Sequence, residues 1–235
     1  MKKNRLLYFG MVLGMAAVMA FALTGCGSED DTAETEATTE APTTTTEATT
    51  EAANESTLYK SELTSLIDQY GRGDGTGEGV NYAKLMDLDG DDTQEMIVIH
   101  DMNLVIYDVK EDQVVTLFEG KTGTQYGQTD TGYEVLINES ISPTTIVLFD
   151  SQDEWVDENI TAVTVAGGAV STETLKAATN GENDTPAREE LQTFSVDGAS
   201  TSAEDYESEY NRLTEGADSI NPMEPSDLDS MMSSM

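Results

Sequence analysis

From Gly27 to Thr57 the chain holds no aromatic residue and no aliphatic side chain larger than alanine. Threonine, glutamate, alanine, serine and aspartate make up almost all of it, with Pro42 as its one proline. A stretch like this has too little apolar surface to offset the entropy lost on ordering a chain. Residues 26–57 are therefore expected to form a disordered tether, and the folded part is expected to begin at Leu58. Residues 216–235 are rich in Ser, Asp, Glu and Met, contain Pro222 and Pro225, and are expected to be a disordered tail. Residues 58–215 remain, enough for one ordinary core.

Ahead of the tether stand Lys2, Lys3 and Arg5, then an apolar run from Leu6 to Leu23, then Thr24, Gly25 and Cys26. A basic start, a greasy middle and a small-residue end make a leader that is removed on export, so residues 1–25 are set aside from fold reasoning. Leu23-Thr24-Gly25-Cys26 resembles the lipobox of bacterial lipoproteins. That resemblance implies a diacylglycerol on the Cys26 thiol, cleavage just before it, and anchorage to the extracytoplasmic face of the cell membrane. Two acyl chains suffice for a stable anchor where one does not. With Cys26 lipidated, no thiol is left for a disulfide, a thiolate metal site or a catalytic nucleophile.

Charge narrows the partners. The chain has 46 acidic and 11 basic residues, a formal net charge of −35. Three of the basic groups lie in the leader. Nucleic acid is excluded as a partner because its phosphates demand Lys and Arg. Divalent cations are favoured. Expected partners are the membrane, through the lipid on Cys26, and an unknown extracellular protein or wall polymer.

Between tether and tail the pattern is α+β. Tyr59, Leu63, Leu66, Ile67 and Tyr70 share one face of a helix, capped at Ser56 or Thr57 and stopped by Gly71. Short β-branched runs divided by Asp, Asn and Gly then predict an antiparallel meander: 82–86, 96–100, 104–109 and 114–118, then 133–138, 145–149, 160–165, 169–171 and 194–196. A second helix is expected over 203–213, with Ser202 and Asp205 as its capping pair. The expected fold is a curved antiparallel meander flanked by an N-terminal and a C-terminal helix.

The sharpest motif is Asp87-Leu88-Asp89-Gly90-Asp91-Asp92-Thr93-Gln94-Glu95, followed by the run Met96-Ile97-Val98. Alternate carboxylates in a tight loop converge on one point, and calcium accepts six to eight oxygens. The segment resembles the calcium loops of FG-GAP or VCBS-type repeats, which join strands of propeller-like blades. Carried over by position, the resemblance implies a calcium ion held by Asp87, Asp89, Asp91, the Thr93 backbone and Glu95. It also implies that the meander is blade-like. One position departs: Asp92 stands where the family has its second glycine, and a positive φ there would strain an aspartate. No helices flank the loop, which separates it from an EF-hand.

Catalytic patterns are sparse. His100, the sole histidine, reads as structural. No phosphate-binding Gly-rich motif or nucleophile elbow occurs, and one histidine with no free thiol argues against zinc. The segment around Trp155 reads as a polar hairpin. The expected function is a non-enzymatic surface binding module with a structural calcium. The alternatives are a carboxylate-dependent hydrolase acting on extracellular glycans and a metal-free accessory subunit.

Overall fold

The computed structural model describes residues 45–73, 75, 77–123, 134–150, 158–179 and 190–235, with the backbone alone for 45–53. These belong to one unit, residues 42–235. The leader, Cys26, the first part of the tether and the Trp155 segment lie outside the described residues.

The chain is α+β, built on two antiparallel sheets with three helices. The first sheet is the meander β1 (Val80–Met86), β2 (Glu95–His100), β3 (Asn103–Lys110) and β4 (Gln113–Lys121), in that order. The second runs β10 (Ala199–Ser200), β9 (Thr193–Val196), β8 (Ala169–Ala178), β7 (Glu158–Ala166), β6 (Thr145–Phe149), β5 (Val135–Asn138) and β11 (Asp218–Ser219). The single expected meander is thus divided between two sheets.

The strand sequences explain how the sheets stack. Side chains alternate faces along a strand. Ile97 and Ile99 of β2, with Leu104 and Ile106 of β3, meet Ile137 of β5, Ile146 and Leu148 of β6, and Val163 and Val165 of β7 in one buried cluster between the sheets. The alternate residues Met96, Val98, Val105 and Tyr107 face the other way, onto Tyr59, Leu63 and Leu66 of α1 (Thr45–Tyr70) and Leu228 of α3 (Pro225–Ser234). Across the molecule, Val147, Phe149, Ile160, Ala162 and Leu175 pack on Tyr206 and Leu213 of α2 (Ala203–Thr214). The layers run helices, sheet, sheet, helix. Strands buried on both faces read as unbroken apolar runs, which is why Met96–Ile99 and Ile146–Phe149 show no polar alternation.

Helix α1 begins at Thr45, well before the expected domain start at Leu58, so residues 45–57 are helical where a disordered tether was expected. The amphipathic half from Tyr59 onward packs on the sheet and supplies the costly nucleus. Propagation toward the N-terminus then needs only residues that do not break a helix. Glu47, Ala48, Glu51, Ala52 and Ala53 meet that condition, and neither Gly nor Pro intervenes before Gly71. The Asn54 side chain binds Asp112 (2.7 Å), and the Ser56 hydroxyl binds the Met235 carbonyl (3.0 Å). Gly71 ends the helix at φ 82°, its N–H donating to Ile67 O at 2.9 Å. Helix α2 is capped as expected: the Ser202 hydroxyl accepts from Asp205 N at 3.1 Å.

The tail is ordered, contrary to expectation. Asp218 and Ser219 pair with Ile137 and Leu136 at the edge of the second sheet. Ile220 enters the inter-sheet core, and Met223 N donates to Asn81 O at 2.7 Å in the first sheet. Pro225 then opens α3, whose Leu228 is buried. Single anchors dropped into clusters made by other elements leave no periodic signature, so this docking is hard to read from pattern alone. Truncating such a buried leucine costs about 2–5 kcal/mol. Leu228→Ala is expected near the lower end, about 2 kcal/mol, read from urea unfolding midpoints. A frayed tail would shift them by less than about 0.5 kcal/mol.

Candidate metal centre

The acidic loop joins β1 to β2 and is fixed at three points. Leu88 is 2% exposed and lies in the inter-sheet cluster. The Tyr59 hydroxyl donates to Gln94 O at 2.7 Å, tying the far end to α1. Gly168 N, in the β7–β8 turn of the other sheet, donates to Asp89 Oδ2 at 2.9 Å. Lys110 Nζ reaches Gly168 O at 2.8 Å and pairs with Asp108 at 3.4 Å, bracing the same turn.

Within the loop Asp87 acts as the bend's internal acceptor. Its Oδ1 takes Gly90 N (2.7 Å) and Asp91 N (3.2 Å), and its Oδ2 takes Asp92 N (3.1 Å). Gly90 sits at φ 79° and Asp92 at φ 73°. Asp92 thus occupies the left-handed region, at a steric cost that aspartate bears better than most side chains.

Asp87, Asp89 and Glu95 each present a carboxylate oxygen, and these oxygens lie within 4.8 Å of one another. Asp91 and Thr93 are hydrogen-bonded to each other. Asp91 is exposed, and its Oδ1 accepts from Thr93 N (2.8 Å) and the Thr93 hydroxyl (2.5 Å). These bonds hold the Asp91 carboxyl below its usual range. Thr93, expected to contribute its carbonyl, is engaged with Asp91 through its two donors. Of the four expected carboxylates, Asp87, Asp89 and Glu95 form this group, and Asp91 borders it through Asp89.

The electrostatics of the three are unfavourable as they stand. Glu95 is 1% exposed. Its Oε2 accepts one bond, from Leu88 N at 2.8 Å. Burial foremost, with the Asp89 and Asp108 carboxylates adding to it, pushes the Glu95 carboxyl up to about 7 against the Leu88 bond. Asp89 Oδ1 is buried and has no hydrogen-bond partner. Among the described residues no Lys or Arg pairs with Asp87, Asp89 or Glu95. A buried carboxylate without a counter-charge is costly. An oxygen-seeking dication would satisfy the orphaned Asp89 oxygen and the buried Glu95 together, so the donor set fits a hard cation.

His100 lies 6% exposed at the end of β2, stacked on Tyr70 with ring centroids 4.2 Å apart. Its Nδ1 is buried without a partner, and burial pulls its pKa down despite Asp101 and Glu119. The Gly168 and Tyr59 contacts were invisible to sequence reasoning because they join segments far apart in the chain. Among the described residues no helix is long and apolar enough to cross a membrane.

No family model, no curated protein and no solved structure matches this chain.

Proposed function

We propose that this is a lipid-anchored, non-enzymatic binding module of the bacterial cell surface whose acidic loop is held by a calcium ion. The lipobox-like Leu23–Cys26 segment supports the anchor. The single observation that carries the calcium reading is the orphaned, buried Asp89 oxygen beside the buried Glu95. In this reading Asp87, Asp89 and Glu95 are the protein ligands, and water or loop carbonyls complete the shell. The four-stranded meander β1–β4 with its loop corresponds to one propeller-type blade. It is closed against a second sheet here rather than against further blades.

Calcium in this position is structural. The loop is pinned to α1, to the core and to the Gly168 turn, so an ion that neutralises it joins the two sheets. Extracellular calcium is on the order of 2 mM, and surface modules bind it with Kd of roughly 10⁻⁴ to 10⁻³ M, so a weak site fills.

The glycan-hydrolase alternative draws on one observation, the Glu95 carboxyl raised to about 7, which is a range suited to a general acid. At 1% exposure Glu95 is out of reach of a polymer substrate, and Leu88 N already occupies one of its oxygens. The structural reading accounts for both facts.

Protease added to intact cells tests the proposal. It is expected to remove the wild-type protein, and faster in the presence of a chelator. Cys26→Ser is expected to leave the precursor uncut or send protein into the medium. Protection from protease on intact cells, or normal processing and membrane retention of Cys26→Ser, would contradict the anchor. Equal digestion with and without chelator would contradict the calcium.

A further inference from the structure

A cleft of about 800 Å³ opens between α1, β1, the acidic loop and α3. Ligand sites typically span about 300–1,000 Å³. Met223, Met231 and Met235 line it, with Tyr59, Ala83 and Leu85 beside them, and Met231 and Met235 are half-buried against the α1 core cluster. Three carboxylates stand on its walls: Glu55 from α1 and Asp87 and Asp92 from the loop. Lys84 is the one cation among the lining residues, and it is drawn 3.7 Å from Glu139. Methionine is unbranched, polarizable and able to repack, and such surfaces accept varied apolar side chains. Carboxylates around a methionine floor select a ligand that is apolar in body and cationic at its periphery.

We propose that this cleft binds a basic amphipathic peptide segment, its apolar side chains on the methionines and its Lys or Arg groups on Glu55, Asp87 and Asp92. The site goes beyond the calcium reading and does not need it; Asp87 alone is common to both. Complementary charge steers such a ligand to a chain of net charge −35, and the methionine floor localises it.

The test uses the purified full chain in chelator and about 150 mM salt, where long-range attraction is screened within about 8 Å. The probe is a dye-labelled amphipathic peptide of Lys and Leu, followed by fluorescence anisotropy. Saturable binding is expected, at least about tenfold weaker for the pair Glu55→Gln and Asp92→Asn. The pair Glu119→Gln and Glu204→Gln removes the same charge elsewhere and is expected to leave affinity unchanged. Met231→Gln should weaken binding at constant charge, and Met231→Leu should restore it, with melting curves confirming that each variant is folded. Equal losses in the two charge pairs would reduce the effect to diffuse attraction and overturn the proposal. So would absence of saturation, affinity unaffected by Met231→Gln, or displacement by spermine as effective as by unlabelled peptide.

Discussion

Glu95→Gln is expected to raise the melting temperature of the calcium-free protein at pH 8 and to abolish its response to calcium. The Glu95 carboxyl titrates near 7 in the fold against an ordinary 4.5. Below the unfolded value both states hold the proton, and the protein has its full stability. As pH rises, the unfolded chain releases the proton first, so stability is lost through the interval up to about 7. A gap of this size is worth on the order of 3 kcal/mol. Glutamine retains an acceptor for Leu88 N and carries no charge at any pH. For a domain of this length about 1 kcal/mol corresponds to roughly 2–4 °C, so the variant should melt several degrees higher at pH 8. The loss that Glu95 contributes between about pH 4.5 and 7 should also be absent from the variant. A calcium-free variant that melts below the wild type at pH 8 would show that the buried carboxylate is already compensated.

The second large effect is the gain from calcium itself. A site with Kd of about 0.1 mM in about 2 mM calcium adds roughly 1.8 kcal/mol by mass action. That is a large fraction of the margin by which domains are stable, and it predicts a rise in melting temperature of roughly 4–7 °C. Asp89→Asn should remove this gain while keeping an acceptor for Gly168 N. Asp91→Asn should reduce it less, because Asp91 Oδ1 already accepts two bonds from Thr93 and Asp91 is not one of the three converging carboxylates. The ordering of these two variants separates the observed triad from the five-ligand set implied by resemblance. Equal effects would restore Asp91 to the coordination shell.

The features that could be read from the sequence were those with local causes. β-branched runs bounded by turn residues placed β1 to β7 and β9 within a few residues. Ser202, Asp205 and Gly71 acted at helix ends as their chemistry dictates. The extent of β8 was underestimated: Thr172 to Ala178 reads as polar because only Leu175 and Ala177 are fully buried there. The division into two sheets was not legible, since nothing in Ile146–Phe149 says which neighbour each face will meet. The tail escaped for a related reason. Ile220 and Leu228 complete clusters created by β2, β5 and α1, and their value depends on those clusters already existing. In the acidic loop, spacing correctly singled out Asp87, Asp89 and Glu95 as groups that converge. It could not foresee that the Thr93 N–H and hydroxyl would both bind Asp91. Asp92 sits at a φ of 73°, the left-handed region that favours glycine.

Titration calorimetry of calcium into the chelator-stripped full chain tests the coordination most directly. One saturable site with Kd of roughly 10⁻⁴ to 10⁻³ M, lost in Asp89→Asn and in Glu95→Gln, is the predicted result. Dilution heats alone up to about 10 mM calcium, well beyond that affinity range, or binding that both variants keep, would contradict it.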